Sequence, residues 1–301
     1  MGAARFLRGL WPLLEPQHLT VIVNTGDDET FFGLHVSPDV DTVIYTLAGV
    51  ISPIQGWGLA HDTTRCLDAL QRYYDATWFR LGDTDLATHV FRTDALRRGE
   101  TLTAITQSIA RAHGVRVHVL PMSDAPVRTQ VTIAGRGPLP FQQYLVRGRG
   151  RGRVQRITLH GARQARPAAG TVTALRRADF VIIPPSNPFV SIGPILALPG
   201  MRDALRTTRA PVAAISPIVA GAPIKGPLHR MLKGLGHEVS PVGVAHLYRD
   251  CVDVFVMDRR DAALAPRIAA LGMRPVVTDT LMTNPAKSRR LAQTVLTELR
   301  R

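Results

Sequence analysis

Short runs of aliphatic and β-branched residues break off, again and again along this chain, into turns built from Pro, Asn, Asp, Ser and Gly. HLTVIV runs into NTGDDE, VRVHVLP into MSDAP, FVII into PPSNPFVSIGP, APVAAI into SPIVAGAPIKGP, and RPVVT into DTLMT, with CVDVFVMD as a further run of the same kind. Runs this short and this uniformly apolar read as strands buried on both faces. Between them apolar residues recur with a helical period: Gly2 to Leu14, the stretch after Thr42, around Asp203, Leu228 to Gly236, Ala262 to Leu271 and Pro285 to Leu299. Strand and helix in alternation predict an α/β fold, a Rossmann-like mostly parallel sheet flanked by helices, formed by residues 1–301 as a single domain. Residues 127–174 break the rhythm with shorter alternating runs and predict a small β-rich insertion within that domain.

Composition narrows the class further. With 45% hydrophobic and 20% charged residues in 301, the chain can bury a full core. Cys66 and Cys251 match no metal or redox spacing and read as reduced core thiols. No apolar run approaches membrane-spanning length and no leader opens the chain, so a cytoplasmic protein without a membrane partner is expected. The formal net charge is +14, with positive charge carried almost wholly by arginine, which is consistent either with anionic ligands or nucleic acid as partners or with nothing more than a GC-rich genome.

Against that background the negative charge is concentrated. Asn24 to Asp41 holds five acidic residues, and no Lys or Arg occurs from Gly9 to Thr64. A carboxylate at the start of the following helix is a good N-cap, and one of Asp39 and Asp41 is accounted for in that way. The other, with Asp27 and Asp28, exceeds what capping needs, and carboxylates gathered at a strand end repel unless a cation or a donor-rich ligand sits among them. In parallel sheets ligands bind where strands end, so this is where a site is expected. Arg80 follows a Trp-Phe pair and suits a phosphate or a polar ring edge, or else a surface ion pair with Asp83. The loop from Pro184 to Pro194 is rich in hydroxyl, amide and backbone donors, as an anion-cradling turn is. The tract Arg147 to Arg153 alternates Arg with Gly; it lacks interleaved aromatics, and a solvated loop is favoured over RNA binding. There is no H-E-x-x-H, no G-x-S-x-G and no complete phosphate-binding P-loop.

The fragments GAARFLRGL, VNTGDD, SPDVDTVIY, LGDTDLATH, LPMSDAPV, PSNPFVSIGPIL and DTLMT, in this order, resemble the 2-phospho-L-lactate transferase family of coenzyme F420 biosynthesis. The resemblance spans nearly the whole chain. It implies transfer of a phospho-three-carbon-acid group (2-phospho-L-lactyl, phosphoenolpyruvyl or 3-phosphoglyceryl) from its guanosine diphosphate adduct to the deazaflavin alcohol Fo, releasing GMP, with Mg²⁺ as cofactor and a homodimer as the working state. Carried over by position, it implies Asp41 and Arg80 as Fo contacts; Asp39 and Asp27 are candidates beside them for metal contact or hydroxyl orientation, and Asp41 and Asp39 are the candidate catalytic carboxylates. Ser186, Asn187, Pro188, Ser191 and Gly193, with Asp124, would lie on the nucleotide side. Two departures stand out. The family's opening strand and G-G-x-G turn precede GAARFL, whereas here only Met1-Gly2 does, so the true start is expected upstream, with Met1 in place of a valine. Pro184 stands where glycine is frequent and removes a backbone donor. Rival readings are a nucleotide-dependent dehydrogenase, which lacks its G-x-G-x-x-G here, a basic RNA-binding protein using the Arg-Gly tract, and an inactive, N-terminally truncated homologue.

Overall fold

A computed structural model describes residues 2–75 and 77–301. Met1, on which the reading of the start rests, lies outside them. The chain opens with α1 (Gly2–Leu10), which Pro12 converts into a short 3₁₀ turn, and reaches β1 (Thr20–Val23). A hairpin, β2 (Glu29–Phe31) and β3 (Leu34–Val36), precedes α2 (Pro38–Leu47). Then come α3 (Arg65–Leu70), α4 (Asp85–Arg97), α5 (Leu102–Ala112) and β4 (His118–Pro121). The three strands β5 (Arg128–Ile133), β6 (Gly137–Pro140) and β7 (Val154–His160) form an antiparallel sheet in the order β6-β5-β7. After α6 (Thr171–Arg177) the chain lays down β8 (Val181–Ile183), α7 (Ile192–Leu196), α8 (Met201–Thr207) and β9 (Val212–Ile215). A small hairpin, β10 (Ile218–Val219) and β11 (Ala222–Pro223), leads to α9 (Leu228–Gly234) and α10 (Pro241–His246). The fold closes with β12 (Val254–Asp258), α11 (Ala265–Ala269), β13 (Arg274–Thr278) and α12 (Pro285–Leu299).

The strands flanked by helices are parallel, as the alternation predicts, but they pair in two pieces: β13-β12-β9-β8 and β1-β4. Period-two geometry explains why the former reads as continuous apolar runs. Val212, Ala214, Phe255 and Met257 face one core, with α8, α9 and α10. Ala213, Ile215, Val254 and Val256 face the other, where Phe6 and Leu10 of α1 meet Leu291, Val295 and Leu299 of α12. Asn284 caps α12 by accepting from the Lys287 amide at 2.9 Å, with Pro285 preset for the first turn, so this helix begins where its sequence says. The pair β1-β4 packs instead against α2 and α5 through Val23, Val119, Ile44 and Ile105.

Two expectations change, and the Arg-Gly loop, whose four arginines are exposed as expected, proves to be anchored through its backbone. The second helix starts at Pro38 rather than near Thr42, because proline suits the first helical position; Asp39 and Asp41 therefore sit inside its first turn, and the N-cap is Ser37. Cys66 is exposed on α3, whereas Cys251 is buried. The Arg-Gly tract is a pinned corner: the Gly150 carbonyl accepts from Tyr144 Oη at 3.0 Å and Arg230 Nη1 at 2.7 Å, and Gly150 and Gly152 take positive φ angles of 59° and 101°. These two glycines serve backbone geometry that other residues rarely adopt. Among the described residues, no helix is long and apolar enough to cross a membrane.

Candidate active site

The carboxyl end of β1 and the loop after β8 meet through one side chain. Asn24 Nδ2 donates to Asp27 Oδ1 at 2.7 Å and Asp39 Oδ2 at 3.0 Å, and lies 3.3 Å from the Val190 carbonyl oxygen. Its Oδ1 accepts from the Gly26 amide at 2.8 Å, which fixes the turn. Gly26 is forced by crowding: a Cβ there would lie 2.8 Å from Thr129 Oγ1 and 3.0 Å from the Pro194 Cβ. Gln142 Nε2 donates to the other oxygen of Asp27 at 3.0 Å. Asp28 takes a different set, accepting from Ser37 Oγ at 2.7 Å, with His35 Nε2 at 3.0 Å. The Ser37 hydroxyl thus serves Asp28 rather than its own helix.

This floor is electrostatically unfavourable when empty of cations. Burial, then the neighbouring Asp39 and Asp28 carboxylates, push the Asp27 carboxyl well above the usual range, and burial raises Asp39 as well. Asp28 Oδ1 and Thr129 Oγ1 are buried with no hydrogen-bond partner among the described residues. Oxygen donors alone, two close carboxylates and orphaned oxygens beside them fit a hard divalent cation such as Mg²⁺.

Asp41 belongs to a second cluster. It is 4% exposed and forms an ion pair with Arg92, which has no exposed surface at all. Arg92 Nη2 donates to Oδ1 and Nη1 donates to Oδ2 at 3.2 Å, the bidentate geometry in which arginine holds a carboxylate best. Burial works against the Arg92 charge, but Asp41 outweighs it and raises the arginine's pKa; burial raises the Asp41 carboxyl, and the Arg92 charge pulls it back down. Arg92 Nη1 also lies 3.3 Å from His89 Nδ1, which leaves His89 Nε2 facing Asp85 Oδ2 at 3.5 Å. Tyr45 Oη donates to Asp85 Oδ1 at 2.6 Å. Asp41, Asp85 and His89 lie close enough to share a cation, but the Arg92 guanidinium already occupies both oxygens of Asp41.

Two clefts open at this rim. One, of about 210 Å³, is floored by Asp27 and Asp28 and walled by Arg128, Thr129, Gln130 and Phe141. The other, of about 260 Å³, is an aromatic cup of Phe31, Phe32, Tyr74, Trp78 and Phe79. Phe31 and Phe79 stack at 3.9 Å between centroids, and Trp78 meets Phe31 edge-on at 5.4 Å. Glu29 lines both clefts.

The remaining predicted residues are placed as follows. Arg80 is exposed just beyond Trp78 and Phe79, and Asp83 is not its partner: that carboxylate accepts from the amides of Arg65 and Cys66 at the start of α3. Asp62 returns the favour for α4, accepting from the amides of Thr84 and Asp85. Asn187 Oδ1 accepts from the Phe189 amide at 2.9 Å, and its carbonyl accepts from Ser191 and Ile192, so Ser186 to Gly193 form one tight turn. The amino end of α1 abuts it, since a Cβ on Gly2 would lie 2.0 Å from the Pro185 carbonyl oxygen. Asp124 is exposed and accepts from the Thr103 amide at 2.7 Å, at the first turn of α5. Asp27 and Asp39 are therefore joined to each other and to the 184–194 loop, and Asp41 is turned inward to Arg92. Asn24, Gln142, Arg92 and the aromatic cup are what sequence reasoning misses. Only α4 carried a signal, Asp85, His89 and Arg92 falling on one helical stripe.

A parallel α/β scaffold with a polar crevice at its strand ends defines a ligand-binding enzyme of the Rossmann-like class. The chain belongs to the family described as 2-phospho-L-lactate transferase CofD, which matches residues 1–297. It is 40% identical to a phosphoenolpyruvate transferase of Streptomyces griseus over 98% of this chain and 95% of that protein. It is also 40% identical to a 2-phospho-L-lactate transferase of Methanosarcina acetivorans, with the same coverage. In architecture it is similar to a UPF0052 family protein from Bacillus halodurans, with a TM-score of 0.67 at 16% identity, covering 98% of this chain and 96% of that one.

Proposed function

We propose that the chain moves a phospho-three-carbon-acid group from its guanosine diphosphate adduct to Fo in coenzyme F420 biosynthesis, acting as a cytoplasmic homodimer. The observation that carries this reading is the pair of clefts joined at Glu29, one carboxylate-floored and one aromatic. An aromatic cup suits a planar deazaflavin ring, with Arg80 beyond it for the ring's polar edge. The adjoining acidic cleft receives the ribityl chain and the activated phosphorus. The terminal hydroxyl of Fo attacks the phosphorus nearest the acid, a new P–O bond forms, and the bond to GMP breaks with its electron pair leaving on GMP.

In this reading Asp27 and Asp39, held in register by Asn24 and Gln142, hold Mg²⁺, and when bound the ion neutralises charge on the diphosphate. The protein's own part is positioning. Asp39 is half-buried, and its second carboxylate oxygen is uncommitted among the described residues, so it also faces the hydroxyl that loses a proton. Asp41, held inward by Arg92, acts indirectly, by fixing the first turn of the helix that carries Asp39. The 184–194 turn, with the amino end of α1 beside it, takes the nucleotide phosphates.

The relatives named for phosphoenolpyruvate and for 2-phospho-L-lactate match at equal identity, so the acid must be found by trial. Incubating the protein with Fo, Mg²⁺ and each guanosine adduct should give GMP and a product heavier than Fo by the phospho-acid. If no adduct releases GMP in an Fo-dependent way, the transferase reading is wrong.

A further inference from the structure

Among the described residues lining the acidic cleft, one carries a positive charge: Arg128. It is half-buried at the start of β5, the middle strand of its sheet, paired on one side with β7, where it faces His160. Its neighbour Thr129 donates its amide to the Gly26 carbonyl at 2.6 Å, which ties this strand to the acidic turn. The guanidinium has no ion-pair partner among the described residues; its hydrogen bond is from Nη1 to the Val127 carbonyl at 3.1 Å. Across the cleft mouth Glu29 feels it: burial raises that carboxyl, and Arg128 pulls it back.

A cleft with carboxylates on the floor and one unpaired arginine on the wall is bipolar. The floor suits a cation that bridges to phosphate, whereas the wall suits an anion that reaches away from that cation. The donor in the proposed reaction has such a group beyond its diphosphate, the carboxylate of the acid being transferred. We infer that Arg128 binds the carboxylate of the transferred acid and so sets the requirement for an acidic donor; this rests on the transferase reading above. Arginine is suited to the task, because its fork accepts a carboxylate in two parallel hydrogen bonds and stays charged when half-buried. Discrimination follows physically, since a neutral analogue would leave the guanidinium facing no anion.

The test compares two guanosine adducts that differ only in carrying a carboxylate or the corresponding carboxamide, with GMP affinity as a third measurement. Wild type should prefer the acid. In Arg128→Ala the KM for the acid should rise roughly ten- to a hundred-fold, the range of a charge-assisted hydrogen bond. The KM for the carboxamide and the affinity for GMP should stay as they were, and Arg128→Lys should recover part of the preference. If Arg128→Ala keeps the preference for the acid, or weakens carboxamide, acid and GMP alike, the assignment is overturned, the second outcome marking a phosphate contact. If wild type transfers neither adduct to Fo, the transferase reading fails first and the assignment falls with it.

Discussion

Asp41 and Arg92 show how a single contact redirects the chemistry of a site. A carboxylate in the first turn of a helix is favoured by the helix dipole, yet Asp41 is buried with both oxygens held by a buried guanidinium. Removing one partner of such a pair strands the other charge in the interior. Arg92→Leu should therefore destabilise the fold by about 3–5 kcal/mol, read from urea unfolding, and a loss within error of zero would mean that Asp41 finds water. Asp41→Asn keeps the shape and should cut turnover at least tenfold while weakening Fo binding; unchanged kinetics would remove it from the site. Among the described residues, Asp27 has only the neutral amides of Asn24 and Gln142 against it. Its carboxyl is raised in the folded protein, so its contribution to stability is fully present below the unfolded value of 3.8 and is lost as pH rises through the folded value. At neutral pH the metal-free protein carries that cost, and Asp27→Asn should raise its Tm. Mg²⁺ should raise the Tm of the wild type and leave that of the same variant unchanged. A lower Tm for the metal-free variant at pH 7 would show that the carboxylate is already compensated.

Among the elements, α3 and α4 are set by an exchange of caps that no local pattern announces. Asp83, next to α4, serves the amides opening α3, and Asp62, ahead of α3, serves the amides opening α4. The segment between them carries Trp78, Phe79 and Arg80, so the exchange holds the aromatic cup at a fixed distance from the acidic floor. Asp62→Ala should cost about 0.5–2 kcal/mol, the usual worth of an N-cap. Faster amide exchange at Thr84 and Asp85, with weaker Fo binding, is the readout; unaltered exchange there would show that Gly82 and the turn hold α4 unaided.

Across the whole molecule, the aromatic cup and the acidic cleft are separate but share Glu29. Separate chambers imply separable binding. Fo should quench tryptophan fluorescence with or without Mg²⁺, through Trp78, whereas binding of the guanosine adduct should strengthen with the ion. A requirement for Mg²⁺ in Fo binding would show that the aromatic cup alone does not hold the ring.

The strands of the two parallel pieces, the closing helix from Pro285 to Leu299 and the acidic turn at Asp27 are legible in the sequence, because period, proline and turn residues act over a few positions. Family fragments such as VNTGDD and PSNPFVSIGPIL mark the rim in the same way, each within a dozen residues. What joins those fragments is not local. Asn24 reaches Val190 across 166 positions, Gln142 reaches Asp27 across 115, and Arg92 reaches Asp41 across 51. Periodicity says which face a residue occupies and nothing about which distant face it meets. So the sequence by itself determined the layered α/β scaffold and the gathering of carboxylates at a strand end, both short-range consequences of backbone geometry and hydrophobic burial. Only the tertiary structure decided which carboxylate is left open to a cation and which is neutralised by an arginine, because that depends on charges brought within a few ångströms from far along the chain.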